Sequence, residues 1–147
     1  MSKGSQNYLL NMIGSFRAPV GATQLVKAVF LEEAISNHAI PKYRFYRWYY
    51  GPYCKEILKD LEALVEAGDV LKERKGESLV YRSKLPSNEF TEIAGAIESG
   101  TKGSLKPFLE ELYKKFDVYN MVMGQFIDFN SDVKMKADSF LRDLRNK

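Results

Sequence analysis

Between Thr23 and Ile35 the apolar residues Leu25, Val26, Ala28, Val29, Phe30, Leu31, Ala34 and Ile35 fall on almost every side of a helix. A helix without a polar face has to be surrounded by protein, so the rest of the chain must wrap it. Thr23 is its expected N-cap, because a threonine hydroxyl can accept a hydrogen bond from a free first-turn N–H. Lys27 is the one cation in its middle turns. A buried ammonium must be paired, reach water or lose its proton, and Glu32 or Glu56 is the expected carboxylate partner. The alternative is a lysine that contacts an anion in a groove.

The flanking segments supply the wrapping. Tyr8–Ile13 reads as a short helix ended by Gly14, followed by a loop at Pro19 and Gly21. After Pro41, the run Tyr43-Arg44-Phe45-Tyr46-Arg47-Trp48-Tyr49-Tyr50 has strong strand preference and is expected to stop at Gly51-Pro52. Pro52 suits the first position of a helix, and Ile57, Leu58, Leu61, Leu64 and Val65 mark an amphipathic helix over 52–67. Gly68 fits the left-handed position past its end. Two extended runs, 70–75 and 78–82, flank Gly76-Glu77 as a hairpin.

The order helix, helix, strand, helix, hairpin is that of a winged helix-turn-helix. The expected class is therefore mainly α with a small β-hairpin, a winged helix-turn-helix followed by a C-terminal helical extension. Residues 1–85 form the winged-helix-like lobe, and residues 86–147 pack on it or form a dimer interface. The extension reads as three helices: 87–98, one at 105–116 with Ser104 as N-cap, and one carrying Val133, Ala137, Phe140, Leu141 and Leu144, capped by Ser131 or Asp132.

Residues 16–84 resemble the Panacea-type family of prokaryotic proteins, which includes antitoxins and many members of unknown role. Thr23-Gln24-Leu25-Val26-Lys27-Ala28-Val29-Phe30-Leu31 is similar to the family's Thr-x-Leu-x-Lys-x-x-aromatic-Leu helix, and Tyr50-Gly51-Pro52-Tyr53 to its Tyr-Gly-Pro turn. Thr23, Lys27, Tyr50, Gly51 and Pro52 are the family-motif positions the resemblance picks out. Cys54 stands where members commonly have serine.

Charge bears on function. The chain has 22 Lys plus Arg against 19 Asp plus Glu. Residues 1–84 hold 13 basic and 9 acidic groups and residues 85–147 hold 9 and 10, so the positive excess lies in the first lobe. A helix-turn-helix places its recognition helix in the major groove, and phosphate contacts supply most sequence-independent affinity. The outward face of the 52–67 helix carries Lys55 and Lys59 but also Glu56, Glu62 and Glu66, which weakens counterion release. The leading expectation is a regulator that contacts duplex DNA through wing residues Lys72, Arg74, Lys75 and Arg82, supported by Arg44, Arg47, Lys55 and Lys59. Its rival is a protein-interaction module of the antitoxin type that binds a partner such as a toxin without touching DNA. Self-association as a homodimer is the third expectation. The aromatic run offers a base-stacking platform in principle, but burial of ring area is the plainer reading.

One cysteine and one histidine rule out a disulfide framework and a four-ligand zinc site built within the chain. Cys54 at a helix start reads as a packed thiol and His38 as a surface group. There is no glycine-rich phosphate loop and no nucleophile motif, so the expectation is a non-enzymatic protein with no cofactor or metal. With no apolar stretch near the roughly 20 residues that span a bilayer and no secretion signal, the expected location is cytoplasmic and away from membranes.

Overall fold

The computed structural model describes residues 3–36, 41–49 and 51–146. Helix α1 (Lys3–Gly14) leads through a two-residue strand, β1 (Val20–Gly21), into α2 (Ala22–Ser36). A ribbon of β2 (Tyr46–Trp48) and β3 (Gly51–Tyr53) precedes α3 (Lys55–Glu66). The hairpin β4 (Val70–Lys75) and β5 (Ser78–Ser83) follows, then α4 (Thr91–Gly100), α5 (Lys106–Lys115), a single 3-10 turn (Val118–Asn120) and α6 (Ser131–Arg145). The fold is mixed: helices predominate, but β1 joins the hairpin in an antiparallel sheet of order β1-β5-β4, and β2 pairs with β3. Two of these strand segments, β1 and β3, were expected as loop and helix.

The central helix behaves as its composition demands. Leu25 to Leu31 are all buried. Phe30 lies against Phe45 at 5.3 Å, Phe116 at 5.0 Å and Phe129 at 5.8 Å between ring centroids, and Phe140 continues the array to Phe108. Edge-on ring pairs add to the burial of apolar area. The C-terminal segment thus completes the core of the same chain, with α6 packed on α2 and α4.

Several element boundaries move, each for a local reason. Thr23 is inside α2 rather than capping it; Gln24 reaches back so that its Oε1 accepts the Gly21 N–H at 3.1 Å. Helix α1 begins at Lys3 rather than Tyr8. It ends at Gly14, where only a glycine fits: a Cβ would meet the Leu85 carbonyl oxygen at 2.7 Å, and the Gly14 carbonyl accepts the Ser87 N–H. The aromatic strand shortens to Tyr46–Trp48, since Tyr43 gives its N–H to Glu33 on α2 at 2.8 Å instead of to a ladder.

Pro52 is in β3 opposite Arg47, and α3 starts only at Lys55 after Cys54. Gly51, at φ +98°, makes the reversal that permits this. Helix α4 starts at Thr91, not Ser87, because the Ser15 hydroxyl takes the Phe90 N–H. Ser104 stands one residue outside the cap of α5, and Asn130, not Ser131 or Asp132, caps α6 through the Val133 N–H. The 70–75/78–83 hairpin and the left-handed Gly68 agree with the sequence reading. Gly76 at φ +63° opens the two-residue turn as a type II′ geometry requires.

Phe30→Ala would remove the ring that three other phenylalanines contact. The expected loss is about 3–5 kcal/mol, read as a lower urea midpoint with an unchanged slope; a loss below about 1 kcal/mol would mean the array does not organise the core.

Candidate functional surface

The residues of the two family-like motifs meet. Lys27, on α2, is 1% exposed, and its Nζ donates to the Pro52 carbonyl oxygen at 2.7 Å. Neither Glu32 nor Glu56 pairs with it, contrary to the sequence expectation: Glu56 lies 3.8 Å from Lys59, and burial with Glu33 and Glu89 nearby pushes Glu32 up to about 7. Burial alone lowers Lys27 to about 7. A Cβ on Gly51 would lie 3.8 Å from Lys27 Nζ and 3.9 Å from the Tyr113 ring, so the glycine turn is clasped between the two. Tyr113 closes the clasp by donating its hydroxyl to the Tyr49 carbonyl. Tyr50 and His38 lie outside the described residues. Thr23 is half-buried beside the groove of about 1040 Å³ between β5, the start of α2 and the 101–105 loop. Gln24 spends its polar atoms there, on the Gly21 N–H and on Thr101.

Three of the eight proposed DNA-facing cations are engaged with the protein's own acids. Lys72 pairs with Glu62 at 3.2 Å, tying the hairpin to α3, and Arg82 pairs with Glu73 at 2.6 Å. Lys59 approaches Glu56. Among the described residues, Arg74, Lys75 and Lys55 are exposed with no carboxylate within ion-pair distance. Arg44 and Arg47 belong elsewhere. The Arg44 guanidinium sits 4.0 Å above the Phe126 ring, and Arg47 Nε is buried with no hydrogen-bond partner among the described residues. The eight candidate cations therefore fall into two groups, one on α3 and the hairpin and one on the β2 ribbon.

Around that ribbon lies a feature the sequence reading missed. Residues 124–127 run antiparallel beside β2: Arg47 N–H donates to the Gln125 carbonyl (2.9 Å), Gly124 N–H to the Arg47 carbonyl (2.8 Å) and Ile127 N–H to the Phe45 carbonyl (2.9 Å). Phe126 consequently stands opposite Tyr46, and Tyr46 opposite Tyr53, on one outward face. Tyr46 packs edge-on against Trp48, Tyr53 and Phe126 at 5.7–6.0 Å. Phe126 is 50% exposed, Trp48 38% and Tyr49 67%, and the adjoining turn adds Val122 at 73% and Met123 at 40%. Strand preference pointed to the 43–50 half of this face. No periodicity marks residues 119–126, of which 124–126 gain their register only from pairing with β2.

Two further buried groups are structural. Asp60 on α3 accepts the Tyr43 hydroxyl at 2.6 Å and the Ser5 hydroxyl at 3.0 Å, which docks α3 on α1; its sign in sequence is an acid inside an apolar stripe. Cys54 is buried before α3, and burial pushes its thiol up, as expected for a packed cysteine. Among the described residues no cluster of His, Cys, Asp and Glu is arranged to hold a metal, and no helix is long and apolar enough to cross a membrane.

No family model, curated protein or solved structure matches this chain.

Lys27 sets a pH signature. Its folded pKa of about 7 lies below the ordinary lysine value of 10.5, so between these values the unfolded chain binds more protons and stability rises with pH. Unfolding followed from pH 7.5 to 9.5 is expected to show an increase of up to about 1.4 kcal/mol per pH unit. Lys27→Met should flatten it; an equal slope in both proteins would contradict the buried, unpaired ammonium.

Proposed function

We propose that this chain is a protein-interaction module of the antitoxin type, built on a winged-helix scaffold. The element order α1-β1-α2-β2-β3-α3-β4-β5, a winged-helix order with the β2-β3 ribbon inserted before α3, and the sheet order β1-β5-β4 support the scaffold, and the Panacea-like motifs support the class through their meeting at Lys27 and Gly51-Pro52. The observation that carries the reading is the uncovered aromatic face of the β2 ribbon, rimmed by cations. Large apolar side chains left in water as a contiguous patch favour a macromolecular partner, and Trp, Tyr and Arg are the residues that concentrate binding energy at protein interfaces.

Charge argues in the same direction. The surface of α3 and the hairpin presents Lys55, Lys59, Lys72, Arg74, Lys75, Arg82 and Lys84 against Glu56, Glu62, Glu66, Asp69, Glu73 and Glu77. Contacts to phosphate gain from counterion release only where cations are not already neutralised by the protein's own carboxylates. Affinity capture with nuclease treatment tests the module directly: the chain is expected to retain a protein partner after all nucleic acid is digested, and Trp48→Ala with Phe126→Ala should release it. A partner lost on digestion alone would contradict the proposal.

Duplex DNA keeps one specific observation in its favour, the unpaired Arg74 and Lys75 beside the hairpin turn. Two such contacts predict weak binding whose log affinity falls with log salt at a slope of about −2. Arg74→Ala with Lys75→Ala should abolish it. A measured slope of −4 to −5, as four to six phosphate contacts give, would restore the DNA regulator as the principal function.

A further inference from the structure

The partner's chemistry can be taken one step further, on the basis of the protein-interaction reading. We infer that the aromatic face receives an acidic segment of a partner protein that presents apolar anchor side chains between its carboxylates.

Trp48 and Tyr53 lie nearly parallel, at 19° and 6.4 Å, but the middle of the face is not a plain stacking platform. Tyr46 meets three neighbours edge-on, at interplanar angles of 74–89°, and the Arg44 guanidinium already covers Phe126. Bases bind such a sheet by lying flat on open ring faces; edge-on rings leave clefts between them, which suit aliphatic or aromatic side chains entering end-on. The face also extends beyond the rings, onto exposed Val122 and Met123. Those side chains give a nucleobase little, whereas an apolar anchor gains contact area, and Met adapts its shape to it.

The rim fixes the sign of the partner. Arg44 stands at one end of the face, with its guanidinium over Phe126. Lys55 enters where its backbone N–H donates to the Tyr46 hydroxyl. The acids nearest in chain order are Glu56, drawn toward Lys59 at 3.8 Å, and Asp128. A carboxylate is the acceptor that would satisfy a guanidinium best.

The face also supplies its own probe, since Trp48 is the only tryptophan in the chain. The test follows Trp48 emission in the full-length chain while adding three probes: a twelve-residue peptide alternating Glu with Leu and Phe, the same peptide with Lys in place of Glu, and a twelve-nucleotide oligothymidine. The acidic peptide is expected to shift Trp48 emission to the blue and saturate, with affinity at least fivefold weaker at 300 mM than at 50 mM salt. Arg44→Gln and, separately, Lys55→Gln should each weaken it severalfold; the second touches no ring and guards against a folding defect in the first.

Equal binding of the Lys peptide, or no response to either peptide, would overturn the acidic-partner inference and leave the protein-interaction module to be decided by its nuclease-treated capture. Tighter binding of the oligonucleotide would overturn both. A Trp48 shift that depends on the concentration of the chain alone would assign the face to a second copy and also overturn the acidic partner.

Discussion

The packing of Phe30 is the constraint on which the rest of the molecule depends. This ring, at the middle of an all-round apolar helix, needs neighbours on every side, and the chain supplies them from three distant segments: Phe45 before the ribbon, Phe116 after α5, and Phe129 before α6. Phe45 and Phe129 also touch each other, so satisfying one helix brings the segment around residue 45 alongside the segment around residue 127. The extra antiparallel pairing beside β2 is a consequence of that core contact, and the outward aromatic face is in turn a consequence of the pairing. Alternation along an extended strand puts Phe45 inside and Arg44 and Tyr46 outside.

A second interaction positions the same ribbon from the other end. The Lys27 ammonium gives a hydrogen bond to the Pro52 carbonyl, an acceptor at a residue that has no N–H to offer a neighbouring strand. A buried charge satisfied by one backbone carbonyl costs stability, which the downward displacement of its pKa reflects. What the arrangement secures is the Gly51 turn, clasped between Lys27 and Tyr113. Lys27, Gly51 and Pro52 of the family-like motifs therefore act as scaffolding for the ribbon. The residues that contact solvent, and on the proposed reading a partner, are different ones.

Much of the fold was legible because burial writes itself into periodicity. The central helix, the amphipathic stripe of α3, the hairpin with its glycine turn and the apolar faces of α5 and α6 all follow from spacing alone. Helix boundaries were less legible where a distant side chain supplies the cap: Ser15 reaching Phe90, or Glu33 holding Tyr43 out of the strand, leaves no local signal. The site was legible only in part. The aromatic run and the cations could be read directly, but not that Lys72 and Arg82 would be neutralised by acids from across the hairpin and from α3. Residues 124–127 carry no strand spacing of their own, so their joining the ribbon depends wholly on tertiary contact.

The central claim is that the tail between α5 and α6 forms a fixed edge of the β2 ribbon and thereby builds the outward face. Amide hydrogen exchange at Arg47 and Ile127 tests it most directly, because those two N–H groups bond across the junction to Gln125 and Phe45. The account predicts that both exchange as slowly as the amides of α2, opening only when the whole chain unfolds. Exchange of Ile127 at the rate of a free loop, with α2 still protected, would contradict it.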